Sequence, residues 1–363
     1  MHGPATFPTT LHTARLALRP FTREELEADL TSRDALARAL APARPAADWP
    51  NMHWDPPAVR WLLDKLTQHP TEPFWHAWMI LLNSPDGPTL VGTIGFKGPP
   101  GVDGVIEVGY GVVTSHWRRG IASEALARLV EWARQDPRVR GVCAHTKPND
   151  PASGGVLLKA GLAHSGLVHD GDDGDIDRFE RWFAAPVQRD YDRCAARVRE
   201  LLRSTPSPTL RQRQDAVTAA YWQCFGSDDP ASEADWQAGR GVSWCGFYDI
   251  VPGTPPSEML LICREPKPAC SPIGLHGMCG SGWKEQRGFV VRDVKVLGEN
   301  YVACDPRDKS ELVLPVFSVG TCAGVFDVDS YHAGAFTLHD LRGAQRILAA
   351  AGLRTGVHAP TIL

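Results

Sequence analysis

The sequence predicts two domains, an α/β domain followed by an α+β domain, and three observations carry that expectation. At 363 residues the chain is long enough to bury two separate cores. The first half runs strand after strand into an amphipathic helix, whereas the second half places a group of apolar strands between helical stretches. Cysteine usage changes sharply: of nine, only Cys143 precedes residue 186. The join falls around Pro186-Val187-Gln188, giving domains 1–185 and 187–363 with no long Gly/Ser or Pro linker between them.

Composition excludes several classes. The chain is 43% hydrophobic and 22% charged, with a formal net charge of -4, so no general attraction to nucleic acid or to an anionic membrane is expected. No apolar run is long enough to span a bilayer. The opening Met-His-Gly-Pro-Ala-Thr lacks the basic-then-apolar layout of a signal peptide, which makes a cytoplasmic location the default. An odd number of cysteines argues against a structural disulfide framework. Without a C-x-x-C pair or zinc-like Cys/His spacing, no metal is expected.

Taken in order, Arg15–Arg19 alternates polar and apolar residues and reads as a strand ending at Pro20. Thr22 is placed to cap a helix whose first turn holds Glu24 and Glu25. The Pro-rich stretch from Pro42 to Pro57 reads as a loop, followed by strands at 75–82, 89–96 and 105–113. Ile121, Ala125, Leu126, Leu129, Val130 and Ala133 then recur at helical spacing. A strand therefore leads through Trp117-Arg118-Arg119-Gly120 into a helix. Free amides at such a helix start, with two arginines beside them, suit a pyrophosphate. An ordinary strand-to-helix turn is the plain alternative.

Further motifs turn that balance. Trp117…Gly120-Ile121-Ala122-Ser123-Glu124-Ala125, the strand Ile106-Glu107-Val108-Gly109-Tyr110, Asn149…Ser153 and Lys159-Ala160-Gly161-Leu162 together resemble the GNAT acetyltransferases, particularly their RimJ/RimL-like branch. The resemblance implies a GNAT acyl-CoA N-acyltransferase fold using acetyl-CoA. Backbone amides from Val112 onward and from Arg118, Arg119, Gly120, Ile121 and Ala122 would hold the cofactor, with Asn149 and Ser153 near its pantetheine arm. Glu107 is the candidate base, acting directly or through water, with a structural hydrogen bond as its plain alternative. Gly154-Gly155 departs from the family pattern, in which a helix continues after the Ser.

In the second half, helices are expected at 191–202, 212–225 and 338–353, and strands at 243–248, 259–263, 289–291, 311–316 and 322–328. Pro252–Pro256 reads as a turn, and Ser227–Asp235 as an acidic loop. Asp327 and Asp329 are two apart on a strand and so share a face, and Glu311 starts another strand that could join them. Close carboxylates raise one another's pKa, keeping one protonated near neutrality. Cys304 lies in a loop between strands, and Cys270 and Cys279 flank the turn Pro272-Ile273-Gly274. Loop thiols are more often reactive than strand-buried ones such as Cys245, Cys263 and Cys322.

These pieces resemble the GAF-fold free methionine-(R)-sulfoxide reductases: Trp244…Phe247-Tyr248, Gly277-Met278-Cys279-Gly280, Asp293-Val294, Ala303-Cys304, Ser310-Glu311-Leu312-Val313-Leu314-Pro315 and Phe326-Asp327-Val328-Asp329-Ser330. The resemblance implies a GAF-like fold, an antiparallel sheet with flanking helices. Cys304 would be the nucleophile, Glu311, Asp327 and Asp329 would polarise or protonate the oxygen, and Cys270 or Cys279 would resolve the sulfenic acid. Trp244 and Tyr248 would wall the substrate's methyl-thioether. No bound cofactor is expected there; an external dithiol such as thioredoxin would restore the thiols, and a homodimer is left open. Loop spacing departs from the family by a residue on each side of Cys279, and Lys295 stands where His is common. The expected whole is a bifunctional enzyme, acting on an unidentified amine and on free methionine-(R)-sulfoxide. The alternative is an acetyltransferase regulated by a ligand-sensing GAF domain.

Overall fold

The computed structural model describes residues 10–70, 72–184, 187–251, 257–301, 304–356 and 358–363. The opening hexapeptide, Pro186 at the join, the Pro252–Pro256 turn and Ala303 lie outside the described residues. Contacts divide the chain into two compact units: Met1–Gly166 with Asp177–Ala184, and Leu167–Ile176 with the chain beyond Ala184.

The first unit is built on a mixed sheet. Its strand order is Leu11–His12, Leu16–Pro20, Ala77–Leu82, Thr89–Phe96, Val105–Val112, Gly141–Thr146, Gly174–Trp182, Ala163–Asp170. Thr22 closes a capping box with Glu25 at the head of the helix Arg23–Thr31, as its position predicts. The Pro-rich stretch is less irregular than expected: Arg44–Pro45 pairs with Thr89–Leu90, and a helix starts at Pro56 under the Asp55 cap. The residues expected to open the strand at 75 form a short 3-10 turn, Pro73–Trp75, with the strand proper starting at Ala77. Trp75 packs instead into an aromatic cluster with Phe96 and Trp132. The helix Ile121–Ala133 buries the apolar stripe read from the sequence, and Trp132 besides. Each fully buried large side chain there contributes roughly 1.5–3 kcal/mol of transfer free energy.

One irregularity in this sheet matters for function. Val105–Val112 and Gly141–Thr146 run parallel, and their paired positions are Val105–Gly141, Ile106–Val142 and Glu107–Cys143. Beyond Glu107 these two neighbours have no paired positions among the described residues, which leaves their carboxyl ends apart. Parallel strands that separate in this way expose backbone amides between them.

The second unit has an antiparallel sheet with one parallel edge. The order is Ile273–Gly274, Glu258–Glu265, Val242–Asp249, Thr321–Ser330, Ser310–Ser318, Phe289–Val291, Thr361–Ile362. Two-residue periodicity assigns the faces. Leu312, Leu314, Phe326 and Val328 join a core with the helices Tyr191–Leu202, Leu210–Phe225 and Leu338–Ala350. The alternate residues Val313 and Val325 pack on the other face with Trp244, Tyr248 and Cys279. Asp327 and Asp329 follow Val325 in phase, and Glu311 precedes Val313 in phase, so all three carboxylates belong to this second face. The acidic loop at 227–235 is shorter than expected, because Ser232 caps the helix Glu233–Gln237. No helix of the described residues is long and apolar enough to cross a membrane.

Candidate active sites

In the first unit, Trp117–Gly120 forms the turn that the sequence predicts. Gly120 takes φ +74° and Arg118 φ +60°, left-handed backbone that a glycine adopts without strain. No side chain caps the helix that starts at Ile121, so its first amides keep their donors. The turn is braced from outside. Arg15 donates to the Arg119 carbonyl at 3.0 Å and pairs with Glu124 at 2.6 Å. Asp48 accepts from the Ser115 amide and hydroxyl and from the Thr114 hydroxyl, which hold its carboxyl well below the usual range. Arg118 and Arg119 are exposed, Ala122 is half-buried, and Ile121 is buried and serves the core. Val112 accepts from the Trp117 indole through its carbonyl at 2.7 Å.

Asn149 is exposed at φ +63°, at the end of the neighbouring strand. Ser153 lies in the first turn of Pro151–Lys159, a helix that runs through Gly154-Gly155 under the Asp150 cap. Tyr110 donates its hydroxyl to the Ser153 carbonyl at 3.1 Å, tying the strand Val105–Val112 to the helix that follows its separated neighbour. Glu107 stands at the last paired position before they part. Its carboxylate meets Lys97 Nζ at 2.5 Å and His145 Nδ1 at 3.0 Å. Burial alone would raise its pKa, but the His145 hydrogen bond and the Lys97 ammonium outweigh it and hold the group at about 2. The Arg178 guanidinium can only donate, so at 3.1 Å it makes His145 Nε2 the acceptor and leaves Nδ1–H to face Glu107. His145 and Arg178 were not singled out from the sequence; a lone histidine in a strand gives no signal of the carboxylate beside it.

The second unit holds a pocket whose wall includes Cys304, Cys279, Glu311, Asp327, Asp329, Trp244 and Tyr248. Register explains the carboxylates: Glu311 sits opposite Asp329, and Asp327 opposite Gly246, on adjacent strands. Glu311 and Asp327 are 7% and 6% exposed, and Asp329 is half-buried. Burial, and then the neighbouring negative charge, pushes Glu311 and Asp329 well above the usual carboxylate range. Burial likewise pushes Asp327 up to about 7. The cluster can therefore hold protons at neutrality.

The three cysteines separate into two roles. Cys304 and Cys270 are exposed and in side-chain contact, with no disulfide between them. Partial burial, then the Cys270 thiol, pushes Cys304 up to about 12. Cys279 is not the loop thiol that its glycine-rich surroundings suggest. It lies in the first turn of the helix Met278–Glu285, is 7% exposed, and donates to Asp327 Oδ2 at 3.3 Å. Burial pushes its thiol well above the ordinary value. Gly280 permits this seating, since a Cβ there would lie 2.4 Å from the Leu275 backbone. The Cys279 sulfur and one oxygen each of Glu311 and Asp327 all lie within 4.8 Å of one another, close enough to share a cation.

Trp244 and Tyr248 pack with their rings tilted, centroids 5.9 Å apart, and also fasten the loop that carries Cys270. The Trp244 indole donates to the Lys267 carbonyl at 3.0 Å, and the Tyr248 hydroxyl to the Cys270 carbonyl at 2.9 Å. Among the lining residues that escaped the sequence reading are the polar Lys267, Tyr301, Asp305 and Asp308. Asp308 accepts from Ser243 at 2.8 Å and is pushed up by burial to about 6. Lys267 pairs with Asp305, which Arg307 and Tyr331 also hold. Asp305-Pro306-Arg307-Asp308-Lys309 reads as an ordinary charged loop, so only its contacts reveal these roles.

A separated strand pair beside an uncapped helix start in one unit, and a thiol pocket walled by carboxylates in the other, make two chemically distinct candidate sites. Comparison with known proteins gives the families. Residues 15–163 match the family described as the acetyltransferase (GNAT) domain. The GAF domain-containing protein A of Dictyostelium discoideum is 33% identical over 106 residues, 29% of this chain and 65% of that protein. The free methionine-R-sulfoxide reductase of Escherichia coli (strain K12) is 33% identical over 110 residues, 30% of this chain and 63% of that protein. The chain thus spans a little under two thirds of the length of these two relatives. The X-ray structure of free methionine-R-sulfoxide reductase from Neisseria meningitidis in complex with its substrate aligns with a TM-score of 0.35 at 24% identity, covering 45% of this chain and 88% of that one. Residues 15–163 thus carry a GNAT-type domain, and the second half is similar to a GAF domain-containing protein and to free methionine-R-sulfoxide reductases.

Proposed function

We propose that the second unit reduces free L-methionine-(R)-sulfoxide and that the first transfers an acetyl group from acetyl-CoA to an amine, in a cytoplasmic protein. The observation that carries the reductase reading is the shared pocket of Cys304, Glu311, Asp327 and Asp329. The Cys304 sulfur attacks the sulfoxide sulfur while a protonated carboxyl group delivers its proton to the oxygen. The S–O oxygen passes to Cys304 as a sulfenic acid, and methionine leaves as the thioether. Cys270, already touching Cys304, forms the disulfide and releases water. A thioredoxin-like dithiol then restores both thiols.

A free amino acid also brings a carboxylate into this acidic pocket, and Lys267 is the one cation among the described residues lining it. Asp305 keeps Arg307 and Tyr331 when Lys267 turns toward a ligand. Lys267 therefore binds the substrate carboxylate, and the acids bind its ammonium. In the first unit, acetyl-CoA lies along Val112 and the Arg118–Ala122 amides. Glu107, held ionised by its resting partners, orients the incoming ammonium and passes its proton on to water; the freed amine attacks the thioester carbonyl, the C–S bond breaks, and CoA leaves as the thiol with the second amine proton.

A coupled assay tests the main reading: thioredoxin-dependent consumption of free methionine-(R)-sulfoxide by the full chain, lost in Cys304→Ser. No turnover by the unsubstituted protein ends it. The high value for the resting Cys304 thiol favours one second reading, a ligand-sensing unit that regulates the acetyltransferase. Sulfoxide binding without turnover, together with a change in acetylation rate, distinguishes that case.

A further inference from the structure

We infer that Cys279, Glu311 and Asp327 form a binding site for a single zinc-class divalent cation, separate in its ligands from the Cys270–Cys304 thiol pair. The three donor atoms lie within 4.8 Å of one another and come from three elements: the first turn of Met278–Glu285 and two adjacent strands. One edge of the polyhedron already has the right length. Cys279 Sγ is 3.3 Å from Asp327 Oδ2, and zinc bonds of ~2.3 Å to sulfur and ~2.0 Å to oxygen at a tetrahedral angle place those atoms about 3.5 Å apart. An independent feature also asks for a ligand. Asp327 is 6% exposed, and its Oδ1 is buried with no hydrogen-bond partner. Leaving a carboxylate oxygen dry and unpaired is costly, and a cation seated against both Asp327 oxygens offsets that cost.

The donor set selects the class of ion. One thiolate and two carboxylates suit Zn2+ or Co2+, whereas Mg2+ and Ca2+ take oxygen alone. The Cys279 proton leaves to solvent as the metal–sulfur bond forms, aided by the helix amides behind it. Three anionic ligands leave the fourth position of a tetrahedron to water on the open side of the pocket. In the reductase reading, an ion there occupies the acids that would protonate the sulfoxide oxygen, so zinc acts as a reversible inhibitor. That clause alone rests on the proposed function.

The test is a Co2+ titration of the reduced, chelator-treated full chain, followed by displacement with Zn2+. The expected result is one equivalent of cobalt with a thiolate-to-metal charge-transfer band. Cys279→Ser loses the band, Asp327→Asn and Glu311→Gln each weaken affinity at least tenfold, and Cys304→Ser retains it. Circular dichroism of each variant separates loss of binding from loss of fold. No saturable band, or a band that survives Cys279→Ser or vanishes in Cys304→Ser, overturns the site. Zinc should also slow sulfoxide turnover, with a chelator restoring it; turnover indifferent to saturating zinc places the ion away from the reacting oxygen and overturns the inhibitory role. If the chain shows no sulfoxide turnover at all, the reductase reading fails, and the cobalt titration still decides the metal site.

Discussion

The two candidate sites are built by opposite means. In the first unit the candidate site is made of backbone: an uncapped helix start, a left-handed Gly120 and two strands that separate after Glu107. In the second unit the chemistry is carried by side chains, with a loop thiol facing buried carboxylates from two adjacent strands. Backbone sites tolerate changes of side chain but not of local conformation. Side-chain sites have the reverse sensitivity, and each unit should fail to the kind of change that the other tolerates.

The largest expected effect tests the side-chain end. Cys304→Ser should lower methionine-sulfoxide turnover by at least about a thousandfold, because a hydroxyl has no comparable nucleophilicity toward sulfur. Calorimetric binding of acetyl-CoA by the same variant should be unchanged; a loss in both would undo the contrast. Next, the resting Cys304 thiol near 12 sets a pH dependence. Only the thiolate is alkylated, so the iodoacetamide rate at Cys304, read by mass spectrometry against Cys304→Ser, should rise about tenfold per pH unit between neutrality and the onset of alkaline unfolding. A plateau near neutrality would mean that the thiol is already activated.

At the backbone end, Gly120→Val should weaken acetyl-CoA binding about ten- to a hundredfold by forcing a β-branched residue into φ +74°. Titration calorimetry measures that loss, and sulfoxide reduction should be untouched. Lys267→Met should raise the KM for free methionine sulfoxide about tenfold, the worth of ~1.4 kcal/mol, with little change in kcat. An amidated substrate, lacking the carboxylate, should show no such penalty; equal losses on both substrates would remove Lys267 from recognition.

The smallest effect is on stability. Asp249 is buried, its Oδ1 has no partner, and burial pushes it up to about 6 although Gln214 donates to its other oxygen. The folded protein thus holds this proton more tightly than the unfolded chain. The stabilisation is complete below about 3.8 and is lost as pH rises through about 6. Asp249→Asn should therefore raise the melting temperature by a few degrees at pH 7.5, equivalent to about 1–3 kcal/mol, and by nothing near pH 4. A constant shift at both values would point to packing instead of charge.

Periodicity made much of this architecture legible. The stripe from Ile121 to Ala133 and the in-phase Asp327 and Asp329 need only one element each to be read. Element ends were harder. Trp75 left its expected strand for an aromatic cluster, because burying a large ring outweighs extending a strand by a residue or two. Cys279 reads as a loop thiol because it flanks the turn Pro272-Ile273-Gly274, whereas it lies in the first turn of a helix. Gly280 is there to let that helix approach the Leu275 backbone.

What the linear order of residues determined by itself was the two-part organisation, the faces of the strands, the turn at Gly120, and the presence of a loop thiol and three acids. Those depend on interactions over a few positions, which spacing records directly. Only tertiary structure decided the company each group keeps: His145 and Arg178 behind Glu107, Lys267 and Asp308 in the pocket, Cys270 against Cys304, and Cys279 among carboxylates. Such partners arrive from separate strands, loops and helices, and Coulomb energy and burial depend on distance in space, on which separation along the chain is silent.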